Sequence, residues 1–201
     1  TGVRYSETDE YGQLSLVGII NYMQDCSTFQ SEDARVGVEY LDSNHKAWLL
    51  SSWQIMIDRY PRLGEKLVVG TGHCSFKGIY GYRNFVLLDG EGRHLVRAGS
   101  VWFLYDTEKN TPIRVHPEDT APYGKAEAPL ILSPAPRKIP VPDHYGEGKP
   151  IVVARHHIDT NHHVNNAQYV DMARESIPEG LRIREIRADY KLSLIHISEP
   201  T

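Results

Sequence analysis

Long apolar runs are missing from this chain. No stretch approaches the roughly 18 consecutive apolar residues that a membrane-crossing helix needs, and residues 1–10 have neither the basic start nor the apolar centre of a secretory signal. A soluble, cytoplasmic protein with no membrane partner is the expectation. Residue 1 is Thr rather than Met, so a leader such as a plastid transit peptide can have preceded it. Cysteine is scarce too: Cys26 and Cys74 are the only two, with neither a CxxC pair nor a secreted disulfide framework, which fits a reducing compartment. Nor is positive charge in excess. With 22 Lys and Arg against 26 Asp and Glu the net charge is −4, which argues against a nucleic-acid partner. An acidic protein partner would need a local basic patch. Arg182, Arg184 and Arg187 are candidates, although their alternation also describes a solvated strand face.

What is present is ordinary globular composition, 40% hydrophobic and 24% charged, with enough apolar residues for a packed core. Between residues 14 and 29, Leu16, Ile19, Ile20 and Met23 recur at helical spacing, which predicts one amphipathic helix. Residues 47–60, 65–80, 82–88 and 93–105 are rich in Val, Ile, Trp, Tyr and Phe and predict strands. Pro61-Arg62-Leu63-Gly64 and Asp89-Gly90-Glu91-Gly92 supply the turn chemistry between them, so consecutive antiparallel pairing is expected. One helix followed by a meander of long strands predicts an α+β fold in which an antiparallel sheet wraps around a central helix, the hotdog architecture.

Most of the prolines fall between residues 111 and 150, where no periodicity is sustained. A connection this long joins two units more readily than it forms a loop within one. The expected division is an N-terminal domain over 1–120, a Pro-rich linker over 121–150 and a second domain over 151–201. Beyond the linker the opening pattern returns: a short strand from Ile151, a polar turn, and a helix from about Asn165 to Ser176. At an offset of 150 residues Asp159 matches Asp9, Val164 matches Leu14, and Tyr169 and Val170 match Ile19 and Ile20, as an internal duplication would give.

The segment from Arg155 to Asn166 holds four of the ten histidines. Hydrolysis at a carbonyl carbon needs a positioned water, a group to take its proton, and donors for the oxyanion. Asp159, Asn161 and His163 offer those types, and in an extended stretch residues two apart project to one side. The N–H groups at the start of the following helix suit an oxyanion. Plainer readings stand beside this one: Asn165 or Asn166 can cap the helix and Asp159 can organise the preceding turn. His156, His157, His162 and His163 lack a familiar ligand spacing, so no metal is expected. Cys26 has nothing nearby in sequence to lower its pKa and is not taken as a nucleophile.

The string Asp159-Thr160-Asn161-His162-His163-Val164-Asn165-Asn166 resembles the active-site segment of the acyl-acyl-carrier-protein thioesterases, whose pattern is Asp-x-Asn-x-His-Val-Asn-Asn. Arg4 to Asp9, Ile20 to Gln30, Arg59-Tyr60-Pro61, Arg83-Asn84-Phe85 and Ser100-Val101-Trp102 extend the resemblance, most closely to bacterial members, over nearly all of residues 3–191. It implies tandem hotdog domains, an acyl chain held mainly by the first, and catalytic residues in the second. His163 and Asn161 would act on water and thioester while Asp159 holds them in register. It also implies no cofactor, and as partner an acyl carrier protein bearing a fatty acyl phosphopantetheine thioester. A homodimer is the assembly left open.

One departure stands out. Where the family continues from a strand like Ala188-Asp189-Tyr190-Lys191 into a Glu, followed in plant members by Cys, this sequence has Ser193 and Leu194. Residues 192–201 resemble translated sequencing adaptor, so a non-native tail and an incomplete second hotdog are expected. That leaves two alternatives to the hydrolase open: an acyl-coenzyme A thioesterase, and a non-catalytic hotdog protein that binds acyl thioesters.

Overall fold

Ser15 starts the first helix. Its Oγ accepts the Gly18 N–H at 3.0 Å, satisfying one of the free donors of the first turn, and α1 runs Leu16–Asp33. This computed structural model describes residues 1–131, 134–136, 138–144, 146, 148, 150–159 and 163–191. α1 is one turn longer than its apolar spacing predicts. Ser27, Thr28 and Ser31 turn their hydroxyls back onto the carbonyls of Gln24 and Ser27 instead of ending the helix. A short α2, Val38–Ser43, follows; the Glu32 carboxylate receives its first N–H at 2.9 Å. Six residues are too few for a legible period, so this helix was not expected.

The predicted strands are present with ends shifted by up to three residues: β1 Lys46–Ile57, β2 Val68–Lys77, β3 Tyr80–Leu88 and β4 His94–Asp106. All pair antiparallel, in the order β2-β3-β4-β1. Consecutive pairing therefore holds for β2 to β4 but not for β1, which lies against β4 from Lys46↔Asp106 to Ile57↔Val96. The link between β1 and β2 is no tight hairpin. It passes beneath the start of α1, where the Leu14 N–H donates to Pro61 O at 2.8 Å and Gly64 takes a φ of 76° open to glycine.

The core lies between α1 and the facing side of this sheet. Ile19, Ile20 and Met23 are fully buried over Phe85, Leu87, Ile55 and Val96, and Trp53 packs on Phe85 at 4.9 Å between ring centroids. Each such side chain contributes about 1.5–3 kcal/mol by leaving water. The sheet wraps around a central helix, as the pattern predicts.

After β4 come a two-residue β5, Thr111–Pro112, and a one-turn α3, Pro117–Thr120. Lys46 Nζ and buried Asp119 Oδ1, 2.6 Å apart, tie α3 to the start of β1. The proline-rich segment is more ordered than its composition suggests. Its residues 127–131 and 134–135 lie on the face of the sheet opposite α1. Glu127 N–H donates to His73 O of β2 at 2.8 Å, and Asn84 of β3 takes the Leu130 N–H at 3.1 Å while donating to Ala128 O at 2.7 Å. Ile131 lies beside Gly99 of β4, and Gln54 of β1 accepts the Ala135 N–H at 2.8 Å. These anchors are strand side chains far away in sequence, which no local periodicity reveals.

Residues 151–154 form no strand, against expectation; a strand needs a neighbour, and Ile151, Val152 and Val153 stand exposed. A 3-10 turn at Arg155–His157 leads to α4, Asn166–Arg174, whose Ala167 and Val170 join the same core. The last described strand, β6 Glu185–Asp189, adds to the free side of β1 from Ser52↔Asp189 to Met56↔Glu185. The arginines of this stretch have internal partners. Arg182 donates to Gln13 Oε1 at 2.9 Å, Arg184 to Asp58 O, and Arg187 pairs with Glu185. Among the described residues no helix is long and apolar enough to cross a membrane.

Candidate active site

Residues 155–159 and 163–165, on either side of the centre of the polar segment, are folded back on one another. Ile158 and Val164 form an antiparallel bridge, the Asp159 N–H donates to His163 O at 2.8 Å, and Asp159 Oδ1 accepts the His163 N–H at 3.2 Å. Asp159 and His163 therefore meet because the chain folds back, rather than through the every-second-residue projection that the sequence suggests. Asn161 lies outside the described residues. Asn165 N–H donates to His157 O at 2.8 Å, and Asn165 Oδ1 accepts the Ala167 N–H at 2.9 Å, capping α4. Both plain readings of the sequence thus hold: Asn165 is the cap and Asp159 shapes the turn.

The same turn occurs once before. Thr8 and Leu14 form a bridge, Asp9 N–H donates to Gln13 O at 2.8 Å, Asp9 Oδ1 accepts the Gln13 N–H at 3.0 Å, and Ser15 N–H donates to Glu7 O at 2.9 Å. Every one of these bonds recurs 150 residues later, after a 3-10 turn in both copies. The chemistry differs. Gln13 stands in the place of His163, and a neutral amide cannot accept a proton at the pH where an imidazole can.

Asp159 and His163 border a cavity of about 780 Å³ between the sheet, α1 and α2. Its walls carry Trp48 and Leu50 of β1 and Trp102 of β4; Asn166, Gln24 and Asp25 face it from the two helices. Asp25 is only partly covered. Burial first, and then the nearby Glu7 carboxylate, hold its carboxyl above the usual range. The start of α4 is held from two sides: Tyr190 Oη donates to Asn166 O at 2.9 Å, and Asn166 Nδ2 donates to Gln24 Oε1 at 3.2 Å. Tyr190 itself hangs from β1 through its N–H to Ser51 O at 2.8 Å, and burial pushes its phenol far up. Neither Gln24 nor Tyr190 was picked out from sequence. The signal was absent, because Gln24 meets a residue 142 positions away and Tyr190 is placed by β1 of the first half.

Cys26 and Cys74 are free, on α1 and β2, and burial raises both thiols. A raised thiol is a poor nucleophile at neutral pH.

A sheet wrapped on one helix, joined by a second helix that a polar turn introduces at the mouth of a partly apolar cavity, defines a hotdog-fold protein with a candidate site between its two helices. Family comparison gives the narrower class. Residues 2–123 match the acyl-ACP thioesterase N-terminal domain and residues 142–198 match the C-terminal domain, and the chain belongs to this family. A chloroplast acyl-acyl-carrier-protein hydrolase of Cuphea viscosissima is 30% identical over 148 residues, covering 69% of this chain and 35% of the relative. The chain thus spans about a third of the length of that curated relative. Among solved structures, an acyl-ACP thioesterase from Bacteroides thetaiotaomicron superposes with a TM-score of 0.84 at 24% identity, over 95% of this chain and 79% of that one. The 12:0-ACP thioesterase from Umbellularia californica gives a TM-score of 0.78 at 17% identity, over 95% and 80%. At those identities the likeness establishes the hotdog fold.

Proposed function

We propose that this chain carries the acyl pocket and the polar turn of a thioesterase that hydrolyses fatty acyl groups from acyl carrier protein. The observation that supports this most is that Asp159 and His163, paired through the turn, border one cavity with apolar walls from the first half of the chain. Its volume and mixed lining suit an acyl thioester. Residues 1–120 then form the first hotdog domain, 121–150 the connection, and 151–201 belong to the second.

In this reading water attacks the thioester carbon while His163, with Asn161, orients it and takes its proton. The oxyanion forms toward the N–H groups opening α4, the C–S bond breaks, and the proton passes to the leaving thiol, giving a free acid and the carrier's phosphopantetheine thiol. Asp159 keeps His163 in place through its bond to the turn. No acyl-enzyme is needed and no cofactor takes part. We assign the protein to the cytoplasm and leave a homodimer open. The same acyl group offered on carrier protein and on coenzyme A decides between the two carriers.

Ser193 and Leu194, where the family has Glu, favour a second reading in which the cavity only binds acyl thioesters. Thiol release followed with a chromogenic thiol reagent separates the two. His163→Ala should reduce release at least about 100-fold, the span of one general acid-base group, while binding of a non-hydrolysable acyl analogue stays intact. Equal release before and after the change would remove His163 from the reaction.

A further inference from the structure

The cavity runs across the strands. Tyr190, just past β6, borders one end and Arg83, on β3, lies toward the other, with β1 and β4 between them and His73 and Phe76 of β2 beyond it. Three inter-strand steps of about 4.8 Å separate Tyr190 from Arg83 by roughly 14 Å. Leu50, Trp48 and Trp102 make the middle apolar.

The far end is not apolar. Arg83 Nη1 donates to Gln30 Oε1 and to Thr71 Oγ1, the latter at 3.2 Å, and the guanidinium lies 5.2 Å from the Tyr123 ring centroid. None of these is an anion. Arg83 forms no ion pair with a described carboxylate, and Nε and Nη2 have no hydrogen-bond partner among the described residues. Neither nitrogen is sealed inside the protein without a partner, and Arg83 is one of the residues that line the cavity. Two hydroxyls stand beside them, Tyr123 Oη and Ser31 Oγ, 2.9 Å apart. Burial depresses the guanidinium's pKa, and the neighbouring Tyr123, Cys26, Cys74 and Glu127 offset that only in part.

A saturated acyl chain would end with its methyl group against these donors and hydroxyls, displacing water and returning no hydrogen bond. A chain ending in oxygen would satisfy them. We propose that Arg83, Tyr123 and Ser31 form a recognition site for the far end of the acyl group, and that the cavity selects medium-length acyl chains carrying a terminal carboxylate or hydroxyl. This rests on the cavity being the acyl pocket of a thioesterase. The distance to Arg83 sets the length, and the unpaired guanidinium nitrogens set the chemistry, with carboxylate the better match because it would pair directly with the cation.

The test uses the full chain and three hydrolysis-inert N-(2-acetamidoethyl) amides, of decanoic acid, 10-hydroxydecanoic acid and the half-amide of decanedioic acid, titrated by calorimetry. The carboxylate-ended analogue should bind at least tenfold more tightly than the decanoyl one, with the hydroxyl-ended analogue between them. Arg83→Met should bring all three within about twofold, and Arg83→Lys should keep the carboxylate preference. Decanoyl binding as tight as either oxygenated analogue in the parent protein overturns the proposal, even if no variant folds. Equal weakening of all three analogues by Arg83→Met also overturns it, leaving Arg83 only a tie between α1 and the sheet. Thiol release from the three matching thioesters is a separate reading: binding in the expected order with no release would sink the hydrolase and leave this site standing.

Discussion

Asn166 donates to Gln24 across 142 positions of sequence, at 3.2 Å, so the first helix of the chain grips the first residue of the helix that follows the polar turn. The grip is one neutral hydrogen bond, worth about 1 kcal/mol. Gln24→Ala should therefore slow thiol release about fivefold while the melting temperature changes little. Gln24→Glu, which keeps the acceptor oxygen, should recover most of the rate. A melting temperature that falls as steeply as the rate would make the residue a packing element only.

Asp159 has two separable roles. Its Oδ1 closes the turn by accepting the His163 N–H, and in the proposed reaction its carboxylate charge would support His163 at the edge of the cavity. Asp159→Asn keeps the acceptor and should leave stability unchanged, whereas Asp159→Ala should cost about 1 kcal/mol of it. Both should lower thiol release, by about 100-fold. Full activity in Asp159→Asn would reduce the carboxylate to a turn former.

His73 gives a pH dependence. Burial first, then the neighbouring Arg83, lower its pKa below the ordinary value, and Glu127 opposes them. The unfolded chain therefore binds this proton more readily than the folded one. The neutral ring's contribution is complete above the unfolded pKa of about 6.5 and declines as the pH falls from there toward the folded value. Melting followed from pH 8 to pH 5 should show that decline, and His73→Gln should flatten it. An unchanged slope would place the acid sensitivity elsewhere.

Lys46 and Asp119 form a largely buried pair at 2.6 Å, and removing one partner leaves the other charge in a poor solvent. Asp119→Ala should cost about 3 kcal/mol, seen as a fall of roughly 6–12 °C in Tm. Lys46→Met with Asp119→Leu should recover most of it. A single variant that melts like the parent would show the pair to be well hydrated.

How much of this was readable in advance follows from where each interaction finds its partner. α1 was legible because Leu16, Ile19, Ile20 and Met23 carry its period within a few residues of one another. The strands were legible for the same local reason, and the motif around Asp159 and His163 carried the family. The rest needs partners far along the chain. Gln24 looks like any polar helix residue until Asn166 arrives, and Asn84 looks like a solvent-facing break in a strand until Ala128 and Leu130 occupy its amide. Residues 127–131 and 134–135 read as linker because their order comes from Gln54 and Asn84 rather than from themselves. Asp159 and His163 meet by a fold-back, where the sequence suggested alternation.

The route of that crossing segment also carries a history. Residues 127–131 and 134–135 are bonded to β2, then β3, then β1, contacts that can form only where those strands already lie side by side. The expected order in refolding is therefore the sheet on α1 first, the crossing segment over its back next, and α4 and β6 at the edge of β1 last. In pulsed hydrogen exchange during refolding, the amides of Glu127 and Leu130 should gain protection after those of β3 and β4 and before those of β6.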